Sequence, residues 1–571
     1  MQTEFLSHFQ PHGNILHPNS SNLFRSIVIV ILSASIWAVL FHRRRLRTGV
    51  ASLSQLRGPP SQSWYKGNYT HLFNLKQGWD FHKMLADKYG SVVKLTGFLG
   101  RKQLYTFDTK AMYHILIKVM YVSSGALLFG KGLLSTFGED HRKQRKMLNP
   151  VFSIAHMRSM MPIFHDVVDQ LGDALSQRVQ SGPREIDLLS WMARTALELI
   201  GQSGFGYSFD NMMDDVPRHR YSVIVKDFVP TLTQLAFARF YLLPLSIKFL
   251  PKRVRVYLMN IIPWKALHDV RDMVNYMHEI SVQVYEEKKR ALEEGDEAVL
   301  RQIGKGKDLL SILMRENMKA DSEDKLEESE IIAQVLSQNH VRTFIFAAMD
   351  TTSSALSRIL HLLALHPEVQ EKMRDELVAA RRERGGSHLS YDELVGLPYL
   401  DAVCRETLRL YVILFAHEDA VVPFSRPVRC EDGNEVSEVF VPKGTTVMIS
   451  ILNSNRNPDL WGPDVLEWKP ERWLSPLPDA ILNSRMPAVY SHLMTFNGGS
   501  RSCIGFKFSQ LEMKVVIAML VEHFKFSLSP KKEIFWQMSG IASPVIVGGS
   551  DSEYSKHPQL PLIVELAKQE V

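Results

Sequence analysis

Cys503 is the residue in this chain best placed to do chemistry. It lies in the loop Phe496 to Gly505, FNGGSRSCIG, directly ahead of an apolar helical pattern running from Phe506 through Leu520. A cysteine on a glycine-rich loop before a helix points its sulfur at backbone N–H groups and at the positive helix end, and both favour thiolate. Arg501, just upstream, adds positive charge. Such a thiolate is an electron-donating axial ligand for haem iron, and the glycines let the backbone approach a flat macrocycle closely. Taken alone, a single cysteine is more often a small buried hydrophobe; its surroundings make this one different.

A second candidate lies in the long apolar stretch from Ile331 to His366, which Pro367 closes. The pattern predicts one helix of about 54 Å at 1.5 Å per residue. In its middle stands Ala347-Ala348-Met349-Asp350-Thr351-Thr352. An aspartate and two threonines inside an apolar helix are costly to bury without partners, so they imply a purpose or local solvation. Ala347 and Thr351, at i and i+4, face the same way. Glu406 and Arg409, at i and i+3, share another helix face and read on their own as a surface ion pair of little energetic worth.

These residues need a large scaffold, and the composition allows one. The chain has 571 residues, 45% of them hydrophobic and 22% charged, which excludes disorder, a fibre and a polytopic membrane protein. A net charge of +6 is too dilute to imply nucleic acid. Only 3 cysteines, with no CxxC pair, argue against a disulfide framework or structural zinc. Short strand-like runs at 91–96, 445–451 and 560–566 interrupt a sequence that otherwise reads as helix, giving a mostly α fold with small β-sheets. Dense charge from Glu286 to Glu330 predicts a solvated helix–loop–helix.

The N-terminus is organised differently. Ser26 to Phe41 carries no charge, and Arg43, Arg44, Arg45 and Arg47 follow it. A cleaved signal would carry its positive charge first, so the pattern predicts a signal anchor with everything downstream on the cytosolic side. The expected layout is a lumenal segment at 1–22, a transmembrane anchor at 23–42, a basic and Pro-rich linker at 43–60 ending in the elbow Gly58-Pro59-Pro60, and one globular domain at 61–571. Between Phe237 and Trp264, apolar and aromatic residues alternate with Arg and Lys around Pro244 and Pro251, suiting either a monotopic surface dipping into lipid or a buried helix pair.

The chain resembles the cytochrome P450 family, whose haem loop reads F-x-x-G-x-R-x-C-x-G. Phe496, Gly499, Arg501, Cys503 and Gly505 fill every fixed place. Glu406-Thr407-Leu408-Arg409 resembles the E-x-x-R signature, and Pro470-Glu471-Arg472-Trp473 the P-E-R-[FW] signature. The resemblance implies the family fold, haem b with Cys503 as axial ligand to the iron, and a buried structural triad of Glu406, Arg409 and Arg472. The segment at 347–352 resembles [AG]-G-x-[DE]-T-[TS], which implies proton delivery by Asp350 and Thr351, with Ala348 in place of the usual glycine. Gly138 to Lys146 resembles the W-x-x-x-R helix with His141 in place of tryptophan; His141 and Arg145 would then donate to a haem propionate. One departure stands out: after Arg409 the usual Pro-Pro pair is missing from 411–419, where His417 is the candidate for a basic contact.

The implied reaction inserts one oxygen atom from O2 into an apolar small molecule such as a terpenoid, steroid or polycyclic aromatic. The electrons derive from NADPH. The chain has no dinucleotide fingerprint and no residues left for a flavin module, so they must come through a separate NADPH–cytochrome P450 reductase, with cytochrome b5 a further candidate donor. The implied location is the endoplasmic reticulum membrane, single-pass, with the catalytic domain facing the cytosol. The alternatives are a haem-thiolate isomerase or dehydratase, and a haem-binding protein whose turnover is impaired by the 411–419 segment.

Overall fold

Leu511 through Val521 are buried on every face, so the helix that holds them must be surrounded by other elements. In a computed structural model of the chain it is. The structure describes residues 51–119, 133, 136–235, 238–295, 297, 307–319, 341–410, 416–417, 420–442, 444–548 and 557–567. The expected lumenal segment, anchor and first part of the linker lie outside these residues, as do 411–415 and 418–419. Among the described residues no helix is long and apolar enough to cross a membrane.

The helices that build the domain are α1 (Gly78–Tyr89), α2 (Gly138–Leu148), α3 (Ile154–Val179), α4 (Leu188–Ile200), α5 (Tyr221–Gln234), α6 (Leu243–Phe249) and α7 (Lys252–Ile261). They continue as α8 (Lys265–Glu294), α9 (Leu309–Lys319), α10 (Val341–Leu365), α11 (Pro367–Glu383), α12 (Tyr391–Gly396), α13 (Pro398–Leu410) and α14 (Phe506–His523). One large apolar cluster joins α3, α4, α10, α13 and α14. The expected long helix is seen as α10 from Val341 onward; it ends at Leu365, and Pro367 opens α11, where its missing N–H costs nothing. Residues 331–340 lie outside the described set. Ser390 caps α12 in a reciprocal box with Glu393, which fixes the chain entering α13.

The strands form four small sheets. In the first, β1 (Ala51–Ser52) pairs parallel with β7 (Glu435–Val441), which pairs antiparallel with β6 (Ala420–Arg429). In the second, the order is β2 (Val92–Thr96), β3 (Lys102–Thr106), β8 (Thr446–Ile449) and β5 (Ala416–His417). The third runs β4 (Arg184–Asp187), β12 (Pro561–Leu566), β9 (Phe524–Leu528), and the fourth is the hairpin of β10 (Ile534–Gln537) and β11 (Ser543–Ile546). All three strand-like runs of the sequence are therefore strands. A second apolar cluster around Leu53, Leu56, Val92, Leu104 and Val439 packs the first sheet against the second. The fold thus begins by Ala51, ahead of the boundary expected at 61, and Pro59 is buried rather than part of a free elbow.

Of the two readings of 237–264, the structure rejects the buried helix pair. No residue of α7 is buried, and Phe249 (68% exposed) and Tyr257 (64%) stand out in solvent with Leu245, Ile247 and Ile261.

Candidate active site

The Cys503 loop is fixed from both ends by its own backbone. The Cys503 N–H donates to the Phe496 carbonyl at 2.8 Å, closing the loop, and Phe496 packs edge-on against Tyr490. Two glycines are forced by their surroundings. A Cβ on Gly498 would lie 1.4 Å from the Pro487 carbonyl oxygen. Gly499 sits at φ +68°, and a Cβ there would lie 2.4 Å from the Leu116 carbonyl oxygen. Gly505 is different: its backbone is ordinary, and a Cβ would meet only Phe152, at 3.8 Å. Among the described residues nothing requires glycine at 505, and a glycine there leaves room for a flat group to lie against the loop.

Cys503 is exposed. Burial pushes the thiol up; the Gly505 N–H and the Arg145 guanidinium pull it back only in part. The cation acting on the sulfur is Arg145 rather than Arg501. A bound metal ion would remove the thiol proton outright.

Arg145 reaches the loop from α2, donating to the Ser502 carbonyl at 2.7 Å, the Ser502 hydroxyl at 3.0 Å and the Ser500 carbonyl at 3.2 Å. Arg501 turns the other way, to the carbonyls of Leu133 and Thr136, with its guanidinium over the Phe137 ring. Buried His141 lies close enough to feel both: burial, then Arg501, then Arg145 hold it down at about 4. Burial also lowers Arg145, and burial with Arg145 lowers Arg501. Three basic side chains thus lie close together, and among the described residues no carboxylate figures among the groups that shift them. Such a cluster suits a ligand that brings its own anions, as the haem propionates do.

The predicted triad is present, and it is no surface pair. Glu406 and Arg409 are both 0% exposed, joined at 2.9 Å and 2.8 Å in the two-pronged geometry that a guanidinium permits. Glu406 also accepts from the Trp473 indole at 2.9 Å, the Lys469 N–H at 3.1 Å and Arg472 at 3.4 Å. Arg472 is bound more tightly to Asp464, at 2.9 Å. The C-terminal end of α13 is tied to the cysteine loop by residues that the sequence did not single out. Thr495 donates to the Leu408 carbonyl at 2.7 Å, and Asn455 bridges Thr495 and the Met494 N–H, each at 2.9 Å.

On α10, Asp350 is buried while Thr351 is exposed in a helix whose neighbouring positions face the core. The Thr351 hydroxyl donates back to the Ala347 carbonyl. Next to it, the Thr352 and Ser509 hydroxyls meet at 3.2 Å, setting the crossing of α10 over the start of α14, where Cys503 lies. Two residues near this crossing escaped sequence reasoning. Glu512 on α14 is fully buried, and burial pushes its carboxyl well above the usual carboxylate range. Lys226 on α5 pairs with Asp350 at 2.7 Å. Only their placement identifies them; neither belongs to a short motif. His417 pairs through its backbone with Thr446.

Comparison with known proteins agrees with this geometry. The family model described as Cytochrome P450 matches residues 57–544. The chain is 50% identical over 553 residues to cytochrome P450 monooxygenase 91 of Postia placenta, a match covering 94% of this chain and 98% of that protein. Monooxygenase 81 of the same fungus is 46% identical over 545 residues, covering 93% and 96%. The ganoderic acid synthetase CYP5150L8 of Ganoderma lucidum is 44% identical over 539 residues, covering 91% and 96%.

Proposed function

The chain belongs to the cytochrome P450 family of oxidoreductases, and from that premise we propose that it is a membrane-attached haem-thiolate monooxygenase acting on a bulky, apolar terpenoid-like molecule. The observation that carries this reading is the Cys503 loop, closed by its own backbone and held by Arg145, with buried His141 beside it on α2. Arg145 and His141 would hold the propionates, Cys503 would ligate the iron, and Gly505 would let the ring lie against the backbone. Bound there, haem supplies the activation of O2 that no side chain can perform.

The chain's own residues would then manage position and protons. Thr351, facing the cleft from α10, offers a hydroxyl that accepts and donates in place. Asp350, its neighbour, is the acid that would resupply that hydroxyl. The Glu406–Arg409 pair would keep the loop in register through Leu408 and Thr495. The terpenoid-like substrate is favoured by the relative named a ganoderic acid synthetase. Membrane attachment rests on the uncharged run from Ser26 to Phe41 and on α6 and α7, whose exposed Phe249, Tyr257 and Ile261 are interleaved with Lys252, Arg253 and Arg255. A separate NADPH-dependent reductase would supply electrons.

The test is the carbon monoxide difference spectrum of the reduced protein, followed by oxygen-dependent turnover with added reductase. A thiolate-type Soret band is expected, lost in Cys503→Ala and kept in Thr351→Ala, where oxygen consumption separates from product formation. Survival of the band in Cys503→Ala would overturn the ligand assignment.

A further inference from the structure

Arginines crowd the end of α11, and a serine follows them in the open. Arg382-Glu383-Arg384-Gly385-Gly386-Ser387 sets guanidiniums five and three residues ahead of a hydroxyl, and residues 382–388 are all exposed. Among the described residues no other serine or threonine has arginines at both spacings. Two guanidiniums at fixed distance before an accessible hydroxyl suit an enzyme groove lined with carboxylates, because each guanidinium takes a carboxylate two-pronged.

The plain alternative is a solvated helix end closed by glycine. That closure is present: the Gly385 and Gly386 N–H groups donate to the Arg382 and Arg381 carbonyls, each at 3.0 Å, with φ at +66° and +85°. It is also easily undone. A Cβ on either glycine would meet nothing within 4 Å, so the turn is not packed against its surroundings. The side chains that steady it lie at the surface: Arg384 grips Glu393 with the two side chains 40% and 42% exposed, and Arg381 donates to the Gly386 carbonyl at 3.0 Å while meeting Glu522 of α14 at 2.9 Å. Surface ion pairs hold weakly, so the turn can extend into a partner's groove at small cost. Ser390 is a poorer acceptor. Its hydroxyl is committed to Glu393 in the α12 cap, and no arginine stands three or five residues ahead of it.

We propose that Ser387 is a phosphorylation site for an arginine-directed serine/threonine kinase. The γ-phosphoryl group of ATP passes to Ser387 Oγ: a P–O bond forms there, the bond to the β-phosphate oxygen breaks, ADP leaves, and the hydroxyl proton goes to the kinase's base. The product carries a charge of about −2 next to Arg384 and His388 in the chain, where it competes with Glu393 for the Arg384 guanidinium and offsets the positive charge of the helix end. The 18 residues of α14 separate the cysteine loop from the end that Arg381 holds, about 27 Å at 1.5 Å per residue, so the phosphate leaves the thiolate ligand alone. The site rests on the cytosolic orientation in the proposed function, where ATP and kinases are found, and not on its oxygen chemistry.

The experiment incubates the full-length holoprotein with ATP and a purified kinase that requires arginine five and three residues ahead of its acceptor, once in detergent and once in sealed microsomes. Phosphate is located by mass spectrometry of the peptide holding Ser387, because Arg43 and Arg45 stand at the same spacing before Thr48 in the linker. Wild type should be phosphorylated at Ser387 in both preparations, and Ser387→Ala should carry no phosphate in that peptide. Arg382→Gln should slow the transfer at least about tenfold, the worth of one charge-assisted contact, with the thiolate-type band at full height. Absence of phosphate at Ser387 in detergent overturns the proposal, and so does transfer to Ser390 instead or an Arg382→Gln protein modified at the wild-type rate. Phosphorylation in detergent but not in microsomes overturns the orientation on which the site depends, with recognition intact. A missing thiolate-type band sinks the monooxygenase reading and leaves the phosphorylation result standing.

Discussion

Replacing Glu406 by Gln removes one charge from a site with no water to replace it. The carboxylate accepts from Arg409 twice and from Trp473, Lys469 and Arg472, and both Glu406 and Arg409 are 0% exposed. Stripping one partner from a buried ion pair costs about 3–5 kcal/mol, because the remaining charge is left without its counter-ion. Orphaning the Trp473 indole N–H alone costs about 1–3 kcal/mol, and the two losses are not additive. Arg409 keeps the carbonyls of Asn455, Val465 and Glu467, at 3.1, 2.7 and 3.2 Å, which share its charge and hold the loss near the lower end. The expected destabilisation is therefore about 3–4 kcal/mol, against a total of about 5–15 kcal/mol for a typical domain. Arg472→Met should cost less, about 1–3 kcal/mol, since Arg472 meets Glu406 at only 3.4 Å and lies nearer solvent. The assay is urea unfolding of the holoprotein followed by tryptophan fluorescence and by the Soret band, which should be lost together, since Thr495 ties α13 to the cysteine loop. A Glu406→Gln protein within about 1 kcal/mol of wild type, or one less affected than Arg472→Met, would refute the argument that burial makes this pair a structural necessity.

Two further predictions use the same logic. Gly498→Ala should destroy the thiolate-type band while circular dichroism stays helical, because its Cβ would lie 1.4 Å from the Pro487 carbonyl oxygen and the loop must shift; Gly505→Ala should leave urea stability within about 0.5 kcal/mol and lower haem retention, because only Phe152, at 3.8 Å, stands in the way of its methyl. His82 and His361 are buried and held down at about 4, chiefly by burial; His361 Nδ1 must stay bare to accept the Trp536 indole at 3.1 Å, and His82 Nδ1 to accept the Tyr105 hydroxyl at 2.7 Å. The unfolded chain takes up protons below about 6.5 that the fold refuses until about 4, so stability is full at neutral pH and falls as pH drops through that window, by up to roughly 3 kcal/mol per histidine. Urea midpoints at pH 7 and pH 5 check this, and a smaller drop for His361→Gln would assign one share.

What the sequence made legible was local chemistry. The FNGGSRSCIG loop, the α10 run and the three strand segments are contiguous, so spacing and periodicity announce them. What it hid were properties set by packing between distant segments. Burial of Glu406 and Arg409 depends on 455–473 folding over them. The sign of the shift at Cys503 depends on desolvation, which no motif encodes, and the choice of Arg145 over Arg501 as its cation depends on how α2 meets the loop. Lys226 lies far from Asp350 in the chain, and its type alone gives no hint of a partner. The strand at 51–52 was not legible because β1 has two residues, too few for alternation to show.

The two sides of the cleft are held by opposite means, and this predicts where variation is tolerated. On the cysteine side every constraint is duplicated: Arg145 holds three atoms of 500–502, Asn455 and Thr495 tie the loop to α13, and glycines at 498 and 499 leave no room for an alternative backbone. A displacement of about 1 Å at an axial ligand is enough to spoil its chemistry, so this redundancy is expected where geometry cannot vary. On the α5 side, Lys226 and the Phe228–Phe346 ring contact join α5 to α10, a proline interrupts the helix, and the chain beyond it runs into the exposed faces of α6 and α7. An element of that kind opens locally at small cost. Substitutions along α5 should therefore change which molecules enter and how tightly oxygen use follows occupancy, while leaving the Soret band untouched; substitutions around the loop should do the reverse. A single α5 variant that abolished the band without unfolding the protein would show that the two sides are mechanically one.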